Sequence, residues 1–401
     1  MKIGVDLRGL NYGVYTGVNT YTIHFLYCLY NIKKTDPSLV LTAIGLDTKT
    51  YDKLSTDYDF IFGLFDEIMS INTYLGVRNL PTQNTISSSL IILYARLFNR
   101  LTWSGCAVFD IIFMVQPKPI LLHHDTNMVC VFHDIFSVIN SDTMSFRQKI
   151  IENKTIYRLL IDNSFKVFAN SISTANDLKN FLGVDESKIR LVYPALPILK
   201  SVEFKKNKIN NVITRADLPK KYMLCVSGVE PRKNWANIIK AFSYCQKNIP
   251  DFEHRLVFAG RVISDPYFDY IKNMIKIMEL KNIQIILDIS DDEKSMLYQK
   301  ADFVLYPSFY EGFGFPILEA FREHKTVITS KISSMPELAR EGAVYVNPLN
   351  YTEIASAMQI LIQDRVFYAK LVSNISKTGE NYSWDELENA LRKLVVVDEI
   401  M

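Results

Sequence analysis

Two glutamates, Glu311 and Glu319, stand eight positions apart in PSFYEGFGFPILEAF, residues 307–321, around a glycine-bearing aromatic loop. Paired carboxylates suggest acid and base work on a glycosidic bond. A retaining glycosidase needs its carboxyls about 5 to 5.5 Å apart, whereas eight residues of helix span about 12 Å at 1.5 Å per residue. The spacing therefore argues for two different contacts on one ligand. Gly312 and Gly314 leave loop amides uncovered for an oxygen-rich group, and Pro316 suits a first helical position. Glu319 then falls in the first helical turn, where simple dipole compensation, worth about 0.3 to 1 kcal/mol, is the plain alternative. Glu311, just past an apolar run and beside two glycines, serves no packing purpose.

A second constellation is MLCVSGVEPRKN, residues 223–234. Ser227 and Gly228 permit a tight turn after an apolar run. Arg232 and Lys233 then arrive immediately before Asn234, a residue suited to an N-cap. Exposed N–H groups, the positive end of a helix dipole and a bidentate guanidinium would all favour a diphosphate. The plain alternative is a solvated turn whose charges do nothing. His133 ends the apolar run MVCVF, where ligands bind in α/β domains. His123 and His124 suggest a metal cluster, but no third ligand has convincing spacing, and they read as a surface loop.

These residues need elements to hold them. KIGVDL (2–7), LVLTAIGL (39–46), DIIFMV (110–115), MVCVF (128–132), KVFAN (166–170) and IRLVYP (189–194) read as strands separated by helices or loops, the first helix covering 19–31. That rhythm predicts a parallel sheet covered by helices. Residues 71–105 are less regular and read as helix and loop. The polar, charged segment 204–221 marks a boundary, giving an N-terminal Rossmann-like domain over 1–204 and a C-terminal one over 205–401. The second repeats the pattern with YMLCV, RLVFAG, IQIIL, DFVLYP, TVITS and AVYV, and helices near 234–247, 266–279, 291–300 and 335–341. Ligands of such sheets bind at the carboxyl ends of strands, so an active site is expected in a cleft between two facing doubly wound domains.

Composition narrows the classes further. With 401 residues, 48% hydrophobic and 22% charged, the chain is an ordinary globular protein of two domains, not disordered, collagenous or coiled. The 45 basic and 43 acidic residues leave a net charge of +2, no global reason to expect nucleic acid. The five cysteines form no CxxC pair and read as reduced, buried thiols of a cytosolic protein. Asp6 and Arg8 interrupt any apolar signal core at the start, and no greasy stretch reaches the roughly 20 residues of a membrane span. FRQKIIENKTIYRLL, 146–160, mixes Arg147, Lys149, Lys154 and Arg158 with apolar residues. It suits either a membrane surface or an ordinary solvated helix face.

EGFGFPILE resembles the E-x7-E motif of the family 4 glycosyltransferases, and SGVEPRKNWANIIKAF is similar to their donor-phosphate motif as found in mannosyltransferase-like members. ISSMPELAREGAVYVNP (332–348) and NYSWDELENAL (381–391) resemble the segments that follow. YTGVNTY, VCVFHDIFSV, ANSISTANDL and LVYPAL resemble N-terminal landmarks in the right order. The resemblance spans nearly the whole chain and is patchy over 47–105.

The resemblance implies the GT-B fold, an N-terminal acceptor-binding domain, a C-terminal donor-binding domain and a last helix, about 383–401, packing back on the N-terminal domain. It implies a retaining glycosyltransferase that moves a hexose from a nucleotide sugar to a glycan or lipid-linked glycan in polysaccharide biosynthesis. No cofactor or metal is required. The PRKN form and the FHD strand end suggest mannose from GDP-mannose. Arg232 and Lys233 match the residues that bind the diphosphate, and Glu319 matches the carboxylate on the ribose. Glu311 with the amides of Gly312, Phe313 and Gly314 matches the grip on the donor sugar. His133 matches the histidine near the sugar, and Gly17 the glycine loop near the diphosphate, with Ser227 and Gly228 in the donor turn. No carboxylate attacks; the leaving phosphate takes the acceptor's proton on the same face. Thr16, Ser227, Ala195 and Asp288 stand where the family usually has glycine. The rivals are a nucleotide-sugar 2-epimerase of the same fold and a catalytically silent sugar-nucleotide-binding subunit. The enzyme is expected in the cytoplasm or at the cytoplasmic face of the membrane.

Overall fold

The computed structural model describes residues 1–10, 17–70, 104–140, 149, 152–194, 218–379 and 382–395. Thr16, Ala195, Arg147 and most of segments 71–105 and 204–221 lie outside them. The chain divides into two compact units, one formed by Met1–Pro197 with Ser383–Met401, the other by Ile198–Tyr382.

The first unit runs β1 (Lys2–Asp6), α1 (Gly17–Thr35), β2 (Val40–Ile44), α2 (Thr48–Asp57), β3 (Glu67–Met69), β4 (Ile111–Met114), β5 (Asn127–Phe132), α3 (Phe136–Ile139), α4 (Lys154–Asp162), β6 (Lys166–Ala169), α5 (Ile172–Leu182) and β7 (Ile189–Leu191). Its strands pair in parallel in the order β3-β2-β1-β4-β5-β6-β7. Strands β4 and β5 read as continuous apolar runs because helices cover both faces and nearly every residue is buried. Helix α1 extends past the expected 19–31 at both ends, and β7 stops three residues short of the run that announced it. Helix α4 buries Ile156, Tyr157, Leu159 and Leu160, so the apolar face of this described part of the basic segment belongs to the unit's core. Arg158 meanwhile donates to the Leu182 carbonyl at 3.2 Å.

The second unit runs β8 (Tyr222–Val226), α6 (Trp235–Asn248), β9 (Arg255–Gly260), α7 (Asp265–Ile277), β10 (Ile283–Leu287), α8 (Asp291–Lys300), β11 (Phe303–Tyr306), α9 (Phe315–Arg322), β12 (Val327–Ser330), α10 (Met335–Ala339), β13 (Ala343–Val346), α11 (Tyr351–Gln363) and α12 (Arg365–Gly379). The six parallel strands take the order β10-β9-β8-β11-β12-β13. The order reverses between β8 and β11, which makes the carboxyl ends of these neighbours the switch point of the sheet. The chain then returns to the first unit as α13 (Asp385–Val395). There the Trp384 indole stacks on His24 at 4.2 Å and 5°, and Asn31 donates to Glu388 at 3.0 Å.

Two backbone positions in the second unit have demands of their own. A Cβ on Gly260 would stand 2.0 Å from the Ser227 carbonyl oxygen, so the ends of β8 and β9 approach only over a glycine. Gly260→Ala is therefore expected to cost about 1 to 3 kcal/mol of overpacking strain. That is several degrees in the melting temperature of a domain of this size, at about 2 to 4 °C per kcal/mol. A thermal melt with an unchanged midpoint would contradict this. Asp288 takes φ +55°, which explains why glycine suits that position and why Asp, which tolerates left-handed backbone, can replace it.

No helix among the described residues is long and apolar enough to cross a membrane.

Candidate active site

The sheet order brings the two sequence constellations together. After β8 the chain turns through Ser227 and Gly228 into a short 3-10 turn, Pro231–Lys233. After adjacent β11 it runs through Pro307 to Gly314. The Phe309 amide donates to the Arg232 carbonyl at 2.9 Å, tying one loop to the other. Lys233 Nζ donates to both Glu311 oxygens, at 2.6 and 2.8 Å, and Arg232 to Glu311 Oε2 at 3.0 Å. Arg232 also donates to Glu230 at 2.8 Å and to the Tyr310 carbonyl at 3.0 Å. The Lys233 ammonium sits 5.4 Å over the Tyr306 ring. Glu311 is buried, its side chain only 6% exposed, against 19% for Arg232 and 11% for Lys233. Burial alone would push the Glu311 carboxyl up. The Lys233 and Arg232 cations beside it win, and hold it at about 2.

Several expected details are corrected here. Asn234 does not cap α6 with its side chain. It adopts φ +61°, and its Nδ2 donates to the Pro307 and Pro348 carbonyls at 2.9 and 2.8 Å, joining two loops. The Ser227 hydroxyl accepts from the Trp235 indole at 2.8 Å, so its side chain locks the turn. Gly312, Phe313 and Gly314 are buried and not uncovered. The Glu311 amide donates to Ser333 Oγ at 2.9 Å, and the Ser334 hydroxyl donates to the Glu311 carbonyl at 2.9 Å and to the Phe313 carbonyl. Gly314, at φ +120°, is the residue that lets this stitched loop enter α9.

Glu319 lies in the second turn of α9, not the first, because the helix starts at Phe315. Dipole compensation is therefore not its role. It is buried, with Oε1 accepting from Lys294 Nζ at 2.7 Å and Oε2 from the Tyr298 hydroxyl at 2.8 Å. Lys294 also pairs with Asp291 at 3.2 Å, and these two carboxylates outweigh burial and hold its ammonium up. Sequence reading overlooked Lys294 and Tyr298. Their signal was an i, i+4 pair, which places both on one face of α8.

In the first unit, Gly17 opens α1 and is exposed. His133 follows β5 directly. Its Nε2 lies 2.8 Å from the Val115 carbonyl, which can only accept, so Nε2 carries the proton and Nδ1 keeps a lone pair. Burial pushes the imidazole down, against the upward pull of that carbonyl and of Asp134, so the ring is neutral. Its edge meets Tyr21 at 4.9 Å and 81°. Thr174, at the start of α5, donates to the His133 carbonyl at 3.3 Å and fixes the main chain. His123 and His124 do have a third potential ligand, adjacent Asp125, with ligand atoms within 4.8 Å of one another. His124 and Asp125 are exposed, as a surface turn requires.

Residues 207–382 match the family model described as Glycosyl transferases group 1. The chain carries a group 1 glycosyl transferase domain. It is 24% identical over 263 residues to the serotype-specific mannosyltransferase WbdA of Escherichia coli, an alignment covering 64% of this chain and 32% of WbdA. The chain thus spans about a third of the length of that relative. It is 29% identical over 267 residues to the O-antigen chain mannosyltransferase RfbU of Salmonella typhimurium, covering 65% of this chain and 67% of RfbU. The fold matches that of HepE from Anabaena, solved with UDP and glucose, at a TM-score of 0.68 and 16% identity over 99% of both chains. The two parallel sheets are those of the GT-B fold.

Within the glycosyl transferase domain, Arg232, Lys233 and Glu311 form one cluster at the switch point, and Glu319, Lys294 and Tyr298 form a second between α8 and α9. The first is a cation pair with an internal counter-ion. Counting Arg232 and Lys233 against Glu230 and Glu311 leaves no net charge, 2 − 2 = 0.

Proposed function

We propose that this chain is a retaining glycosyltransferase that moves a hexose, mannose from GDP-mannose first, from a nucleotide sugar to a glycan or lipid-linked glycan acceptor in polysaccharide biosynthesis. The observation that carries the reading is the convergence of Arg232 and Lys233 on one buried carboxylate at the switch point, where doubly wound sheets bind nucleotides. In this reading both cations hold the donor diphosphate and stabilise the charge that develops as it leaves. Glu311 positions them and grips the sugar, and the Phe313 loop fixes the grip. Glu319 holds the ribose, with Lys294 and Tyr298 fixing its carboxylate. His133 offers its Nδ1 lone pair to a sugar hydroxyl, and the Gly17 region lies near the diphosphate. The first unit takes the acceptor and the second the donor. Commitment of Glu311 to two cations supports transfer without a carboxylate nucleophile. The mannosyltransferase names of WbdA and RfbU support mannose. Five free, buried cysteines support a reducing, cytoplasmic setting.

Purified protein incubated with a panel of sugar nucleotides, with and without acceptor glycans, tests the reading. Nucleotide release that depends on acceptor is expected. An altered sugar still joined to its nucleotide would point to a 2-epimerase, and binding without turnover to a silent subunit. Glu319→Ala is expected to raise the donor KM about 10- to 100-fold, the value of one or two charge-assisted contacts, with kcat little changed. Lys294→Met should act in the same direction and less. A fall in kcat at constant KM in both variants would remove Glu319 from ribose binding.

A further inference from the structure

The first unit holds a cavity of about 370 Å³ lined by none of the residues assigned above to the transfer. Phe165, Phe168, Ile189 and Leu394 supply its apolar surface, and Lys166 and Arg190 its charge. The sheet explains the grouping. Lys166 and Phe168 are two residues apart on β6 and so share a face, and Arg190 on edge strand β7 is in register with Phe168. Leu394 comes from α13, which covers the same face. The cavity lies where β6 and β7 begin, whereas His133 follows the end of β5, so the two stand at opposite ends of these parallel strands.

The two cations differ in what they already do. Lys166 Nζ donates to the Ser187 carbonyl at 3.1 Å and rests 5.7 Å from the Phe165 ring. Arg190 is half-buried, and among the described residues its guanidinium makes no hydrogen bond and no ion pair. Five donors in a fixed fork, partly withdrawn from water and without an acceptor, call for a phosphate or carboxylate. The volume asks for more than an ion: at ~30 Å³ per water it holds about a dozen waters, and it reaches the lower end of ordinary ligand pockets.

We propose that this cavity binds an amphiphilic anion, a phosphate or carboxylate head held by Arg190 and Lys166 with its apolar body against the part-exposed Phe165 and Ile189, over a floor of buried Phe168 and Leu394. None of its lining residues is among those assigned to the donor, and the Arg232, Lys233, Glu311 and Glu319 clusters belong to the other unit. Titration calorimetry with octyl phosphate, inorganic phosphate and octyl glucoside tests it on the full chain. Octyl phosphate is expected to bind more tightly than either of the others, because each of them lacks one half of the match. Arg190→Gln is expected to weaken octyl phosphate binding about 10- to 100-fold while leaving the melting temperature and octyl glucoside binding unchanged. Equal affinity for octyl phosphate and octyl glucoside would overturn the proposal, as would octyl phosphate affinity that Arg190→Gln does not change.

Discussion

Lys233→Ala is expected to lower turnover about 10²- to 10³-fold, the usual effect of removing one preorganised group that stabilises developing charge. Lys233 is fixed from three sides, by the two Glu311 oxygens, by the Tyr306 hydroxyl at 3.3 Å and by the Tyr306 ring. An ammonium so held needs no reorganisation when a diphosphate leaves. The loss should appear in kcat as well as kcat/KM, since the charge develops chiefly in the transition state. Arg232 remains in Lys233→Ala as a partner for Glu311, which limits the structural damage. An unchanged rate in a folded variant would remove Lys233 from the mechanism.

The second large effect is expected at Glu311. Glu311→Gln keeps the shape of the side chain but leaves Lys233 without its buried counter-ion, a change that typically costs about 3 to 5 kcal/mol. For a domain of this size the melting temperature should fall by about 6 to 20 °C. Activity should fall with it, because both cations lose the carboxylate that positions them. A volume-matched double variant, Lys233→Met with Glu311→Leu, separates the two consequences. It should regain most of the stability, since an apolar pair can replace a buried ion pair at little cost, and remain inactive. A double variant as unstable as Glu311→Gln would show that the pair matters for packing alone.

The same carboxyl sets an acid limb. Its pKa in the folded protein is about 2, below the roughly 4.3 of an unfolded glutamate. Its stabilising contribution is therefore complete above about pH 4.3 and is lost as pH falls through 2. Melting temperature followed downward from pH 5 should decline more steeply in the wild type than in Glu311→Gln, which has nothing to protonate. Parallel curves would contradict the assignment.

Much of this was legible in the sequence for identifiable reasons. YMLCV and DFVLYP are buried on both faces, so they read as continuous apolar runs, and the loops that follow begin where the runs end. Sequence alone therefore located Arg232, Lys233 and Glu311. That they touch depends on β8 and β11 being neighbours, a fact of sheet order that no local pattern encodes. Asn234 looked like a cap because its type and position fit one, but two carbonyls from distant loops claimed its amide. Glu319 was placed in the first turn because Pro316 reads as a first helical residue, whereas the helix starts one residue earlier, at Phe315 behind the positive-φ Gly314, which leaves Glu319 in the second turn. Lys294, Tyr298, Ser333 and Ser334 act through partners more than 20 residues away in sequence, so even the i, i+4 spacing of Lys294 and Tyr298 does not name Glu319 as what they hold.

The central claim is that Arg232 and Lys233 hold a diphosphate. Titration of the wild type and Lys233→Ala with GDP, UDP and the corresponding nucleosides tests it most directly. Lys233→Ala is expected to weaken binding of the preferred nucleoside diphosphate about 10- to 100-fold and to leave the nucleoside unaffected. Equal diphosphate affinity in the two proteins would contradict it.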